Sequence, residues 1–377
     1  MIDNENVEVL DIVEEEEIAV PIPKEERKLI TQPYDKSIED LVNMIEKKKI
    51  LLDPEFQRNY VWDTKKASLL IESILLNVPI PVVYASQEKE TFKWLIVDGV
   101  QRLTSLKRFF DGEFKLKGLE VLGTEQDKNL LNGLDYESLP PIYRNTLDNG
   151  IIRIVLISED SHPEIKYDMF MRLNRGSIHL NEQELRNCLY RGSFNDALKN
   201  DLRENEIFLE LINFKEKHNK FLDSELILRF LAIHQNWDKE TKSIKNYKGS
   251  MKTFLNDFMR ENQKADKTKL EIYKSLFDST IEKVYEVLGN KAFSKINTLK
   301  EYEKTLNRGI MDCVMIGFSF FDKNALFDKK EQVFDMMFEL MKDTEFQESI
   351  STSTTSTQKI NFRIAKFYSL LNDLMNG

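Results

Sequence analysis

Cysteine, glycine, proline and histidine are all scarce in these 377 residues, and each scarcity closes off a class of explanation. The two cysteines, Cys188 and Cys313, build neither a disulfide framework nor a cysteine-rich zinc site. Thirteen glycines and nine prolines are too few for a collagen-like or linker-dominated chain. The four histidines, His162, His179, His218 and His234, are scattered, and each reads as a lone surface or loop residue. No apolar run approaches the ~20 residues of a membrane span. The N-terminus opens on acids, the opposite of a secretory leader. These absences predict a soluble, reduced, cytoplasmic protein with no membrane partner.

Basic residues are absent from one place in particular. The chain carries 54 Lys and Arg against 64 Asp and Glu, for a formal net charge of −10. Met1 to Glu17 hold eight of those acids and no base, so the 360 residues that follow have 54 bases against 56 acids. A strongly basic DNA-coating protein is excluded, whereas a local basic face on a balanced body is not. Residues 1–36, with four consecutive glutamates followed by Pro21 and Pro23, read as an acidic, disordered tail. A partner-binding or DNA-mimicking arm is the other reading of that stretch.

What is present predicts cores. Hydrophobic residues make up 41% and aromatics 10%, enough for roughly two domains of about 150 residues each. Ser37 and Asp40 form a capping pair ahead of Ile38, Leu41, Val42 and Ile45 at helical spacing. Asp63 caps a helix running through Asn77, with Ala67, Leu70, Ile71, Ile74 and Leu75 inward. Short strands follow at Val82–Tyr84, Phe92–Val97 and Ile151–Ile157. From Pro163 onward the periodicity is helical almost throughout, as in Ile165–Leu173, Glu182–Tyr190, Ser224–His234, Lys252–Glu261 and Leu270–Leu288. The expected fold class is therefore α+β, a mixed α/β domain at 37–160 followed by a mainly α-helical domain at 161–377. Ser351–Thr357 contains only Ser and Thr and reads as a loop before the last helix; a phosphate-contacting loop is the other reading.

The most informative run is Asp98-Gly99-Val100-Gln101-Arg102, at the exit of a strand and the entry of a helix. Helix N-terminal amides attract anions, Gly99 permits close approach, and Arg102 adds a forked cation. Gln101 is able to position a water or a base edge, and Asp98 to bind a metal or act as a general base. The bland alternative is a helix cap with Arg102 in a surface ion pair. Ahead of this run stand Gln57, Arg58, Tyr60 and Trp62, an Arg-aromatic cluster suited to stacking bases and holding phosphate. For Trp62 a core position is the simpler reading.

Together these elements resemble a known family. The run Pro54-Glu55-Phe56-Gln57-Arg58, Tyr60-Val61-Trp62, Glu72-Ser73-Ile74-Leu75, Pro79-Ile80-Pro81 and Asp98 to Thr104 is similar to the N-terminal domain of GmrSD-type, modification-dependent restriction endonucleases. The resemblance continues through Phe170–Gly176 and Leu180–Asn187, and more weakly through Asp223–Phe230. It implies a ParB/sulfiredoxin-like fold, defence against phage with modified cytosines, and a nucleotide- or DNA-phosphate-binding site at Asp98, Gly99, Gln101 and Arg102. Position 100 is Val where the family usually has Gln, so no role resting on that first amide carries over. Members often add a His-Asn-His nuclease domain, yet no such His constellation follows residue 260. The triplet Glu113-Phe114-Lys115 after Asp98 is a weaker metal-nuclease pattern of a kind that chance also produces, as Glu46-Lys47-Lys48 shows.

Three functions follow as expectations. The first is a DNA-processing hydrolase for hydroxymethylated or glucosylated DNA, a nuclease or a DNA glycosylase. Asp98, Gln101 and Arg102 would be catalytic, and Gln57, Arg58, Tyr60, Trp62, Gly99, Asn174 and Arg186 would bind nucleic acid or nucleotide. The second is a nucleotide-binding NTPase sensor that licenses a separately encoded nuclease. The third is a pure binding module whose acidic tail engages a partner. A divalent metal or a nucleoside triphosphate is the compatible cofactor.

Overall fold

The computed structural model describes residues 28–52, 60–88, 91–123, 131–174, 181–212 and 221–377. It divides into two compact units, Ile22–Leu180 and Asn181–Gly377. The first is mixed α/β with one small sheet, and the second is helical.

The first unit runs β1 (Thr31–Ser37), α1 (Ile38–Glu46), β2 (Ile50–Leu51), α2 (Thr64–Leu75), β3 (Val83–Gln87), β4 (Trp94–Asp98), α3 (Val100–Phe110), α4 (Pro141–Asp148), β5 (Ile151–Ile157) and α5 (Pro163–Asn174). The sheet order is β1-β5-β3-β4-β2. β5 pairs antiparallel with β1 and parallel with β3, while β4 pairs antiparallel with β3 and parallel with β2. Thr31–Ser37, read from the sequence as the end of a tail, is thus an edge strand. Its side chains are mostly exposed and it contains Pro33, so it lacks the alternation that marks a strand. Edge strands tolerate such a proline. Tyr34 supplies its anchor, tilted against Trp94 with ring centroids 5.1 Å apart.

Caps and periodicity place the helices where the sequence predicts them. Ser37 Oγ accepts the Asp40 N–H at 3.1 Å, and Asp63 Oδ1 accepts the Lys66 N–H at 2.7 Å. Ile38 and Leu41 of α1, Ile71 and Ile74 of α2, and Leu103, Leu106 and Phe109 of α3 meet Val83, Ala85, Ile96, Ile152 and Ile154 of the sheet. Each such side chain, fully buried, contributes roughly 1.5–3 kcal/mol. Alternation along β4 sends Leu95 and Val97 to the opposite face, where α5 lies with Tyr167 and Phe170 buried. A strand covered on both faces reads as a continuous apolar run, which Trp94 to Val97 is.

In the second unit the helices Leu222–Asn236, Met251–Asn262, Lys267–Leu288, Arg308–Ser319 and Thr357–Asn376 enclose one large core. Two short antiparallel ribbons, Trp237–Asp238 with Ser243–Ile244 and Ser294–Ile296 with Tyr302–Leu306, interrupt them. Asn181 and Glu184 close a reciprocal capping box at 2.8 and 2.7 Å, the pair expected from their spacing. Cys188 and Cys313 are buried, and burial pushes both thiols up, so neither is a reactive thiolate. No helix among the described residues is long and apolar enough to cross a membrane.

His234 makes the helical unit sensitive to acid. It stacks on Phe320 with centroids 5.0 Å apart, and burial, with Lys239 second, pushes its imidazole down from 6.5 to about 4. On acidification the unfolded chain takes this proton first. The stability contributed is full above about pH 6.5 and is lost as pH falls through about 4, by as much as about 3 kcal/mol. His234→Phe is expected to flatten that part of the profile. Urea midpoints of wild type and variant at pH 7 and pH 4.5 check it; parallel losses in the two proteins would contradict it.

Candidate functional site

β4 carries Asp98 to the end of the sheet, and the chain turns at once into α3. The turn rests on Gly99, which caps α3 in the left-handed region at φ 98°. A Cβ there would sit 2.8 Å from Val83 Cγ2 and 3.1 Å from Arg102 Nη2. Gly99→Ala is therefore expected to cost about 1–3 kcal/mol through strained backbone and the displaced neighbour. A urea titration measures the cost, and an unchanged midpoint would refute the strain argument. Gly99 has no side chain with which to cap, so the first-turn amides of α3 receive nothing from it. Those amides and the helix dipole favour an anion.

Arg102, one turn into α3, reaches back over the junction. Its Nη2 donates to Asp98 Oδ2 at 2.9 Å and to the Val82 carbonyl at 3.4 Å, and its Nη1 donates to the Pro81 carbonyl. The Arg102 and Asp98 side chains are 12% and 22% exposed, so the pair is largely desolvated yet the carboxylate still reaches solvent. Burial pulls the guanidinium's proton affinity down and Asp98 opposes it. An arginine stays charged at neutral pH regardless, so Asp98 faces a permanent cation.

Gln101 serves the other side of the junction. Its buried Oε1 accepts the Val61 N–H at 3.2 Å and the Trp62 N–H at 3.4 Å, tying the extended segment before α2 to the start of α3. Ser105 Oγ donates to the Gln101 carbonyl at 2.8 Å, which leaves the Tyr60 hydroxyl as donor in its 2.8 Å bond to Ser105. Arg108 covers the Tyr60 ring at 4.3 Å while its Nε donates to Glu113 Oε2 at 2.7 Å. Trp62 packs partly on the core, with Lys66 Nζ 4.8 Å from its ring.

Asp98, Gly99 and Arg102 are thus brought together, with Gln101, Tyr60 and Trp62 joined through hydrogen bonds and packing on the adjoining side. Gln57 and Arg58 lie outside the described residues. Asn174 ends α5, and its side chain is likewise outside them. Arg186, expected among the nucleic-acid contacts, is 1% exposed in the helical unit. It donates to Glu182 (2.7 Å), Glu225 (3.1 Å), Gln183 (3.2 Å) and Asn256 (3.1 Å), so its guanidinium is engaged inside that unit. Glu113 is held by Arg108, and among the described residues no three His, Cys, Asp or Glu side chains gather as a metal cluster.

One structural support escapes a reading of the sequence. Glu72, buried on α2, accepts the N–H groups of Glu120, Val121 and Leu122 at 3.0, 2.8 and 2.8 Å. One turn earlier Ser68 Oγ accepts the Lys117 N–H at 2.9 Å. Together they clamp residues 117–122 onto α2. The available signal is their position, a Ser and a Glu four apart inside the apolar stripe that includes Ile71 and Ile74.

No curated protein and no solved structure matches the chain. Residues 38–191, the Asp98–Arg102 junction among them, match the family model of the GmrSD restriction endonuclease, N-terminal domain.

Proposed function

We propose that this protein is a restriction-type defence factor that processes modified phage DNA at the entrance of α3, with Asp98 as the reacting carboxylate. One arrangement supports the reading: a solvent-reaching carboxylate held by a fixed guanidinium, at the N-terminus of a helix whose cap residue offers no side chain, at a turn that only Gly99 accommodates without strain. Phosphate of the substrate belongs at the amides, and the bond to be broken belongs at Asp98. Excision of a hydroxymethylated or glucosylated cytosine is the reaction that best fits a lone carboxylate. The bond from C1′ to the base breaks with its electron pair leaving on the base, and water oxygen takes C1′; Asp98 stabilises the oxocarbenium-like sugar and draws the water proton, which passes to the departed base. Trp62 supplies an aromatic face for the flipped base, and Gln101 holds the segment that carries it.

A glycine-capped helix N-terminus suits a nucleoside triphosphate equally well, and it supports the second reading, a sensor that hydrolyses the nucleotide to license a separately encoded nuclease. Incubation with unmodified, hydroxymethylated and glucosylated DNA, with and without EDTA and then with hot alkali, separates the readings. Alkali-labile sites on modified DNA support base excision, and direct nicks support phosphodiester cleavage. The EDTA arm reports whether a divalent metal takes part. Intact DNA with phosphate released from GTP or ATP overturns DNA processing in favour of the sensor.

A further inference from the structure

The helical unit carries a basic face that the Asp98 site does not use. Between Lys239 and Lys252 stand five lysines and a single acid, Glu240, in a chain whose body is otherwise balanced. The segment is rigidly placed. Trp237, Ile244, Tyr247 and Met251 are buried, and the Trp237–Asp238 strand pairs with Ser243–Ile244. The Ile244 N–H donates to Asn361 Oδ1 at 2.9 Å, and the Tyr247 hydroxyl donates to the Thr355 carbonyl. Lys239, Lys242, Lys245 and Lys248 project outward between these anchors, all exposed. Lys239 lies 3.9 Å from the Phe320 ring centroid and Lys242 2.8 Å from Ser369 Oγ, both neutral partners. Lys245 pairs with Asp238 at 2.9 Å, and Lys248 has no partner among the described residues.

The Tyr247 bond joins this hairpin to the Ser/Thr run that precedes the last helix. There Lys359 Nζ donates to Thr352 Oγ1 at 2.8 Å and Lys295 Nζ to Ser351 Oγ at 3.0 Å. Lysines beside exposed hydroxyls make up the chemistry that contacts sugar-phosphate backbone without reading bases.

We infer that the Lys239–Lys248 hairpin and the adjoining Ser351–Thr352 hydroxyls form a DNA-backbone contact on the helical unit, separate from the Asp98 site. The inference rests on DNA being the partner, as proposed above, and adds a surface that holds duplex of any sequence and modification state. Its positive charge is concentrated on a body that is slightly acidic elsewhere, which would let an acidic protein engage DNA.

Fluorescence anisotropy with an unmodified 30-base-pair duplex, across a sodium chloride series, tests it on the full-length protein. K239A/K242A/K245A/K248A is expected to bind about tenfold or more weaker at low salt. Each phosphate deprived of its lysine makes the log–log salt slope shallower by about 0.9, so the quadruple variant should lose about 3.6 in slope. The quadruple Lys→Arg variant keeps the charge and should keep both affinity and slope. Unchanged affinity and slope in an alanine variant that melts like wild type would overturn the inference while leaving the Asp98 reading intact. Modified DNA processed normally by that variant at saturating concentration, with weakened binding, supports it. Wild type that binds no DNA at all overturns both. Stronger competition by duplex RNA, or by a peptide of Met1–Glu17, overturns DNA as the occupant.

Discussion

Asp98→Asn should leave modified phage DNA unprocessed, with the rate lowered by about 10²–10⁴-fold, the scale on which one acid–base group acts. Asparagine keeps the shape and can still accept from Arg102, so the variant should fold. What it loses is the negative charge that stabilises a cationic sugar or draws a water proton. Arg102 retains the Pro81 and Val82 carbonyls as acceptors, which limits damage to the junction. Alkali-labile ends on modified duplex measure the activity, and circular dichroism with a urea titration measures the fold. Full activity in a folded Asp98→Asn protein would remove Asp98 from the chemistry. If nucleotide hydrolysis were the activity lost instead, the same residue would belong to a sensor.

Asp312→Ala should cause the largest loss of stability, about 3–5 kcal/mol. Asp312 is 4% exposed and accepts from Arg229 at 2.7 and 2.8 Å and from Arg363 at 2.7 Å. Removing it leaves two buried guanidinium groups without their carboxylate. Arg363 still reaches the Ser349 and Thr354 carbonyls, but carbonyls do not neutralise charge. The pH dependence follows from the same triad. Burial alone would raise the Asp312 carboxyl, but the two arginines outweigh it and hold the group below its ordinary value. Its contribution is therefore complete above about pH 4 and lost as pH falls through the lowered value. The urea midpoint at pH 7 checks the magnitude, and a shift under 1 kcal/mol would mean the triad contributes little.

Much of this architecture was legible in the chain. The caps at Ser37, Asp63 and Asn181 and the stripe of Ala67, Leu70, Ile71, Ile74 and Leu75 depend on neighbours within a few residues, which is why spacing reveals them. The strand Ile151–Ile157 reads from its own apolar, β-branched run. The edge strand Thr31–Ser37 did not, because it is defined by its partner β5 and buries little of its own. At the site, the junction of strand, glycine and helix was readable, whereas the partners of its polar groups were not. Gln101 meets amides 39 and 40 positions away, and Glu72 meets amides 48 to 50 positions away. Arg186 shows the same limit: a helical arginine looks the same in sequence whether it faces solvent or, as here, a buried Glu225.

The grip of Arg102 on Pro81, Val82 and Asp98 has a thermodynamic consequence. Its side chain makes these bonds to the protein's own groups, so the ordering cost of the guanidinium is met as the chain folds. The carboxylate is thereby held in one orientation. A ligand phosphate that took both Nη2 protons of Arg102 would displace the Val82 carbonyl and release Asp98 together, so that mode of phosphate binding competes with the Arg102–Asp98 pair. On the proposed reading, substrate phosphate falls to the backbone amides, and the arginine is the fixed counter-charge of Asp98.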